Sequence, residues 1–419
     1  MTPDARGYAT HLVETSLGLV EGSLAPRDLP DALVSEIAGA VRGAPVGDTV
    51  GPGIERGMAS LLARARAAAL AEDGCFVRKA RWPRAAPFAV CLTHDVDNVR
   101  RPRGHIWRTR TRFSLPELVG GLLGVVSLYD NVELIASREG SREFHSSFYF
   151  LSSNYPLADV KAESGRARAA GCEVGLHGDF GTHDSQEGMD AAVERFSKAM
   201  GFRPTGLREH YLKFDFAKSW QIMERAGFEY DTSVGTNDRL GFKVGLASPF
   251  HPPDESWSPM RILELPLVLM DTTLWGYLKR SEPEGFADAM RMLEAVEEVE
   301  GLFTLLWHQE AVRMKGGRQY WRILDEIKRR WCYVGSGAEI ARWWLARSVP
   351  LVRVGGEKKR DGGSGGNLFK LGRAPPRDLV LRLSVAEGRA PRVSSGSMER
   401  SGDEYLVKPQ GPDFLLEVP

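Results

Sequence analysis

FAVCLTHDVDNV, residues 88–99, is the stretch on which the reading of the chain turns. An apolar run stops abruptly at His94, Asp95 and Asp97. A short apolar run that ends in ionisable residues reads as a buried strand whose carboxyl end meets solvent. In an extended chain residues i and i+2 point to the same side, so Asp95 and Asp97 share a face and His94 points away. Two carboxylates on one face repel each other unless a cation or a shared proton relieves them.

The same pattern recurs along the chain. SFYFL (147–151), CEVGLH (172–177), ILELPLVL (262–269) and LFTLLWH (302–308) are short apolar runs with polar or ionisable endings. Between several of them lie helical stretches, LADVKAESGRARAAG (157–171), DAAVERFSKAMG (190–201) and FAKSWQIMERAG (216–227), each closing on a glycine that suits a helix C-terminus. Strands that alternate with helices predict a parallel α/β sheet or barrel. Before it, PDALVSEIAGAVR and GMASLLARARAAALAE space their apolar residues three and four apart, so residues 1–85 read as a helical N-terminal region. The α/β domain is expected over 86–350. RVGGEKKRDGGSGGN lies in a Gly-rich, charged linker, 351–375. Runs such as DLVLRLSV, EYLV and DFLLEV mark a small β-rich appendage over 376–419. No internal repeat is present.

Composition narrows the function classes. The chain has 419 residues, with 42% hydrophobic and 26% charged, as in a globular protein large enough for one big domain with attachments. Its 55 basic and 55 acidic side chains cancel, which excludes a general nucleic-acid binder. The four cysteines are scattered and form no CxxC pair, so neither a zinc knuckle nor a disulfide framework is indicated. The first residues lack a basic segment followed by an apolar one, so no secretory signal is read and the cytoplasm is the expected location. LVGGLLGVVSL, Leu118 to Leu128, is too short to span a bilayer. It reads as a buried helix, or else as a lid or membrane-surface helix beside an active site. Peripheral membrane contact is therefore allowed and a transmembrane segment is not.

In parallel α/β folds the reacting groups gather at the carboxyl ends of the strands. Asp95 and Asp97 follow the first strand, and His177 ends CEVGLH, with His183 close behind. Arg208, His210 and Tyr211 follow Gly206 and Leu207. Asp231 follows FEY, Asp271 follows ILELPLVLM, and Trp307 and His308 end LFTLLWH. Each has a plainer reading, as a turn cap, an ion pair or a core aromatic. Their convergence on one rim is harder to explain that way. His11, His105, His145 and His251 have no such setting and read as surface or structural residues.

These residues carry a resemblance. The stretch from about 86 to 345 resembles the polysaccharide deacetylases of carbohydrate esterase family 4, the NodB-homology type, and is most similar to a bacterial subgroup of them. "HDVD" resembles the family's first motif, "GLHGDFGTH" its second, "LREHYL" its third, "EYDTSVG" its fourth and "LFTLLWH" its fifth. The second motif departs from the family: the position four after His177 is Gly181, and the next histidine is His183. In the third motif His210 stands where a proline is usual, and the fourth lacks the usual nearby tryptophan.

The resemblance implies a distorted (β/α)7-type barrel and a hydrolase acting on carbon–nitrogen bonds other than peptide bonds. It implies a zinc ion, with cobalt or nickel as alternatives, held by Asp97, His177 and His183, or by His210 as the alternative third ligand. Zinc would polarise the carbonyl and lower the pKa of water. Two histidines and a carboxylate make a sound catalytic set with one position open. Asp95 would be the base, Arg208 would hold it ionised and aimed, His308 would protonate the leaving amine, and Asp231 would orient His308 or raise its pKa. Tyr211, Asp271 and Trp307 would touch substrate. The implied reaction is hydrolysis of an N-acetyl group on a sugar, releasing acetate. The implied substrate is a saccharide, a lipid-linked glycan or a nucleotide sugar. A metal-assisted hydrolase of a small non-sugar amide and an inactive glycan-binding scaffold are the alternatives.

Overall fold

The computed structural model describes residues 4–47, 50–99, 103–153, 155–355 and 366–419. Its centre is a nine-stranded parallel sheet. The strands are β2 (Ala89–Val96), β3 (Ser147–Leu151), β4 (Glu173–His177), β5 (Gly206–Arg208), β6 (Tyr230–Asp231), β7 (Leu263–Glu264), β8 (Leu269–Met270), β9 (Leu302–Leu306) and β10 (Tyr333–Gly335). An earlier strand, β1 (Cys75–Lys79), belongs elsewhere. The order across the sheet is β7-β6-β5-β4-β3-β2-β9-β8, with β10 also paired to β2 along Ala89–Cys91. All eight pairings in this sheet are parallel. This is the parallel α/β architecture that the alternation of strands and helices predicts, in the distorted-barrel form that the resemblance implies.

The strands are buried on both faces, as a parallel sheet wrapped by helices requires. Every residue of β2, β3 and β9 is buried, and Val90, Leu92, Phe148, Phe150 and Leu305 are fully so. Helices Lys161–Ala169, Gln186–Met200 and Ser219–Arg225 fill the crossovers that the sequence marks. The longest of them ends on Gly201 at φ 82°, a left-handed cap that a residue with a Cβ adopts only at a cost.

Two strands exceed the expected seven: β10, which adds to β2, and one that a local break creates. ILELPLVL reads as one strand, but Pro266 has no N–H to give to a ladder. The run splits there. β7 pairs with β6 at one edge of the sheet and β8 pairs with β9 at the other. The barrel is therefore closed by a bent chain segment and not by hydrogen bonds between β7 and β8. Leu265 and Leu267 lean their N–H groups on the Asp231 and Val234 carbonyls at that corner, at 2.8 and 3.0 Å.

Flanking parts differ from the sequence expectation. The N-terminal region holds helices Ala5–Leu17, Asp31–Ala40 and Gly53–Glu72, but it ends in β1. β1 pairs antiparallel with β13 (Leu381–Val385) of the C-terminal part. Two four-stranded sheets lie there. One has the order β1-β13-β16-β15, with β15 at Gly396–Ser401 and β16 at Glu404–Pro409. The other has the order β11-β12-β17-β14, with β11 at Leu351–Gly355, β12 at Asn367–Leu371, β14 at Arg392–Val393 and β17 at Leu415–Val418. The stretch expected as a linker thus begins and continues as paired strands, β11 with β12. Residues 356–365 of it lie outside the described residues. Trp344, Leu351, Phe369, Leu381, Val407 and Leu416 share one buried core, which ties both sheets to the helix Gly337–Arg347.

The apolar run 118–128 is not the buried helix that its composition suggests. The helix Leu115–Leu122 sits in the connection between β2 and β3, and no second layer lies over it among the described residues. Its residues Leu115, Leu122 and the following Leu123 are 74%, 53% and 73% exposed.

Candidate active site

A cavity of about 280 Å³ opens at the carboxyl ends of the strands. Asp95, Asp97, His177, His210, Asp271 and His308 line it. Asp95 is the last but one residue of β2 and Asp97 follows it by two residues, both facing the cavity as the period of two requires. His94 faces the other way. It stacks on Phe148 at 4.8 Å and shares hydrogen bonds with the Trp307 carbonyl (2.7 Å) and Glu139 (2.9 Å) in a sealed network with Tyr320.

His177 ends β4. Its Nδ1 lies 2.8 Å from the Arg208 carbonyl, which can only accept, so Nδ1 carries a proton and Nε2 is the nitrogen turned to the cavity. Burial opposes protonation of Nε2, but Asp95 and Asp97 outweigh it and raise the imidazole above its ordinary value. Gly178 follows because a Cβ there would come within 2.1 Å of the Glu209 carboxylate. His177 Nε2 is 3.2 Å from Asp97 Oδ1 and 3.6 Å from Asp95 Oδ2.

His210 arrives by an unusual backbone path. The chain leaves β5 and reverses through Tyr211 and Leu212 at φ 58° and 51°. Left-handed conformations at two successive non-glycine residues cost about 1 kcal/mol or more each and persist where the surroundings enforce them. The reversal sets the His210 ring 5.0 Å from that of His177 and its Nε2 3.7 Å from Asp97 Oδ1. One ligand atom from each of Asp97, His177 and His210 lies within 4.8 Å of the others.

His183, the expected third ligand, is not among them. Thr182 folds back on Asp179 through its N–H and hydroxyl, and this turn carries His183 toward the helix Gln186–Met200. The His183 carbonyl accepts from the Ser219 hydroxyl at 2.7 Å, and the ring's nearest charged neighbour is Asp184 at 3.8 Å.

Three further expectations are corrected. Arg208 does not reach Asp95. Its guanidinium donates to Thr93 and Thr232 at 3.0 and 3.1 Å and lies over the Tyr149 ring. Thr93 precedes Asp95 by two on the same face of β2, so Arg208 sits one layer beneath the rim. Asp231 does not orient His308. It is fully buried, accepts from the Ser233 N–H and hydroxyl, and shares a hydrogen bond with Glu264. Burial raises both carboxyls, and the Asp231 charge pushes Glu264 further, so Glu264 holds the proton of this pair. Trp307 does not face substrate. It is fully buried against Tyr320 and Trp275, because the alternation that turns His308 to the cavity turns Trp307 to the core.

Asp271 is the partner of His308. β8 pairs with β9 so that Met270 faces Leu306, which brings Asp271 alongside the residues that follow. His308 Nδ1 lies 2.7 Å from Asp271 Oδ1. Asp271 was expected to touch substrate. Its carboxylate is instead taken up by His308 and by the Thr272 N–H at 2.8 Å. His308 Nε2 remains directed at the cavity, 4.0 Å from Asp97.

The charges are tightly coupled. Burial opposes ionisation of Asp97, yet His177, His308 and His210 outweigh it and hold the carboxyl below the usual range. Burial, aided by repulsion from His177, pushes His210 down to about 4, so its ring is neutral near pH 7. Burial also disfavours the His308 cation, but Asp271, followed by Asp97 and Asp95, raises His308 well above its ordinary value.

Sequence reading passed over Glu310, which follows His308 by two and lines the same cavity. Burial and the nearby Asp97 push it up to about 7. Glu310 lies in the short helix Gln309–Arg313, where strand alternation gives no signal. A carboxyl raised in the folded state binds a proton that the unfolded chain releases, so its burden on stability is absent below about pH 4.5 and grows as pH rises toward 7. Glu310→Gln is expected to raise the stability of the metal-free protein at pH 8 by on the order of 1–3 kcal/mol and to leave it unchanged at pH 4. Denaturant unfolding at the two pH values measures this. An equal difference at both would remove Glu310 as its cause.

Tyr211 stands at the cavity mouth, 61% exposed, with Phe180 beside it at 5.8 Å between ring centres. Tyr277 lines the same cavity. Phe180 lies in the connection after β4, and Tyr277 ends the helical turn Thr273–Tyr277, so neither follows a strand pattern that would have marked it in the sequence.

Among known proteins, no family description and no curated protein matches the chain. Solved structures do overlap it. A Mycobacterium smegmatis protein provisionally assigned as a polysaccharide deacetylase is 15% identical, with a TM-score of 0.48 over 64% of this chain and 93% of its own. PuuE allantoinase is 18% identical, with a TM-score of 0.46 over 65% of this chain and 94% of its own. A Pseudomonas aeruginosa PAO1 protein, also provisionally assigned as a polysaccharide deacetylase, is 17% identical, with a TM-score of 0.45 over 65% of this chain and 95% of its own.

Proposed function

We propose that the chain is a metal-dependent hydrolase that removes an N-acetyl group from a sugar or glycan. The observation that carries this reading is the meeting of Asp97, His177 and His210 at one point of the rim. A second carboxylate, Asp95, lies on one side, and the His308–Asp271 pair lies across the cavity.

The donor set suits a divalent transition metal. One carboxylate and two neutral imidazoles are a usual catalytic zinc set. The Arg208 carbonyl holds Nδ1 of His177, so Nε2 is the nitrogen aimed at the site, and Asp97 is held ionised. The Asp95 Oδ1 atom is buried without a hydrogen-bond partner beside them, which is costly unless a cation or a donor comes to it. When bound, the metal supplies Lewis acidity and eases deprotonation of water.

The chain's own residues supply the rest. Asp95 takes the proton from the attacking water. Asp271 holds Nδ1 of His308, so the imidazolium points Nε2–H into the cavity, where it protonates the departing amine. Arg208 and the Asp231–Glu264 pair lie below this layer and keep the rim strands in place. Tyr211, Phe180 and Tyr277 offer apolar faces on which a sugar ring can stack.

The test is direct. The purified chain, loaded with zinc and separately with cobalt, is incubated with N-acetylated glucosamine oligosaccharides, and acetate is measured. Acetate release that needs the metal is the expected result. A metal-loaded chain that releases no acetate from any acetylated sugar, yet cleaves small cyclic amides, would overturn the substrate. A chain that takes up no metal would overturn the mechanism.

A further inference from the structure

The connection between β2 and β3 carries a surface unlike the rest of the chain. The helix Leu115–Leu122 packs its inner side, through Leu118, on a small core of Phe113, Leu128 and Tyr129. Its outer side is also apolar. Leu115, Val119 and Leu122 are spaced four and three apart, so they form one stripe, and Leu123 and Val125 extend it. These five residues are 45–76% exposed, and Trp107 nearby is 62% exposed. A helix in water turns such a stripe inward. A contiguous apolar patch left outside marks a contact surface.

The charges beside the patch indicate the partner. Arg108, Arg110, Arg112 and Lys315 are exposed, and none has an ion pair among the described residues. Arg110 lies over the Trp107 ring at 4.6 Å. A chain with as many acids as bases has gathered unpaired cations here, next to exposed leucines and a tryptophan. That combination fits the headgroup layer of an anionic membrane: the apolar stripe enters the acyl boundary, the tryptophan sits at the interface and the cations meet lipid phosphates.

We propose that this face, Trp107 to Val125, docks the protein on the surface of an anionic bilayer. The contact lies on the membrane and does not cross it, since no helix among the described residues is long and apolar enough to span one. A second copy of the chain fits less well. A two-fold contact through this patch would set the same cations against one another. The docked face adjoins the cavity. Phe113 bridges to Met314, and the Lys315 N–H donates to the Arg112 carbonyl at 2.8 Å. Arg112 and Met314 both line the cavity mouth. Docking therefore brings the mouth to headgroup level. The proposal concerns the insertion itself and holds whatever reaction the cavity performs.

The experiment is flotation of the full chain with vesicles of phosphatidylcholine alone and of phosphatidylcholine mixed with phosphatidylglycerol. The chain is expected to float with the mixed vesicles, less so as salt rises, and to stay behind with the neutral ones. Leu115→Ser, Leu122→Ser and Leu123→Ser together should weaken binding at least tenfold, by roughly the loss of buried apolar area. These side chains are already exposed, so the variant keeps its fold, and an unchanged circular dichroism spectrum checks this. Arg108→Gln with Arg110→Gln should weaken binding by roughly fivefold per charge and flatten the salt dependence. Failure to bind anionic vesicles, equal binding to both kinds, or a triple serine variant that binds like the natural chain would each overturn the proposal. A dimer that forms without vesicles and is abolished by the serine variant would assign the face to a second copy instead.

Discussion

Replacing His210 with alanine is expected to cost the chain its metal, whereas His183→Ala keeps it. The two histidines compete for one role, and local spacing favours neither. The tertiary structure separates them by position. His210 Nε2 is 3.7 Å from Asp97 Oδ1, while the charged neighbour of His183 is Asp184, at 3.8 Å. Two ligands cannot hold a transition metal as three do, and loss even of groups that only orient a ligand costs 10–100-fold in affinity. His210→Ala should therefore weaken zinc binding on the order of a hundredfold or more. Metal content after dialysis, with calorimetric titration of the metal-free chain, measures the difference. Full occupancy in His210→Ala together with loss in His183→Ala would reverse the ligand set. The neutrality of His210 adds a pH signature. Burial holds it down to about 4, so it remains available as a ligand well below the pH at which an ordinary histidine protonates.

The second large effect is expected at Asp95. Asp95→Asn keeps the side chain's size and removes its capacity to take a proton. A misplaced or missing general base costs about 10²–10⁴ in rate, so kcat should fall on the order of a thousandfold with the metal still bound. The paired measurement matters. Asp97 stands two residues away on the same face and would carry the metal, so Asp97→Asn should lose metal and activity together. If Asp95→Asn lost its metal, Asp95 would be a ligand and not the base. If its rate were unchanged, the proton would go elsewhere, with Glu310 another carboxyl that lines the same cavity.

The parts of the site that were legible in the sequence are those fixed by a residue's own strand. A period of two placed Asp95 and Asp97 together and His94 apart, and the structure has them so. Apolar runs ending in His177 and His308 put both rings at strand ends, where they line the cavity. The illegible parts depend on neighbours from other strands. Asp231 was read as the residue that serves His308, and Asp271 as a substrate contact. The parallel register of β8 against β9 gives the role to Asp271, 37 residues away in sequence and 2.7 Å away in space. Arg208 looked like the partner of Asp95, but its position on β5 sets its guanidinium against Thr93, one layer down.

The sequence by itself determined the class of fold. Alternating buried strands and helices with glycine caps admit few arrangements other than a parallel sheet wrapped by helices. It also determined which end of that sheet carries the ionisable residues. The tertiary structure alone decided which of those residues meet. Periodicity reports the face of its own element that a side chain occupies, whereas a metal-ligating cluster is set by register, by turns such as the left-handed Tyr211–Leu212 reversal, and by breaks such as Pro266. Only the fold, too, left the stripe from Leu115 to Val125 uncovered, because burial depends on what lies opposite a helix and not on the helix itself.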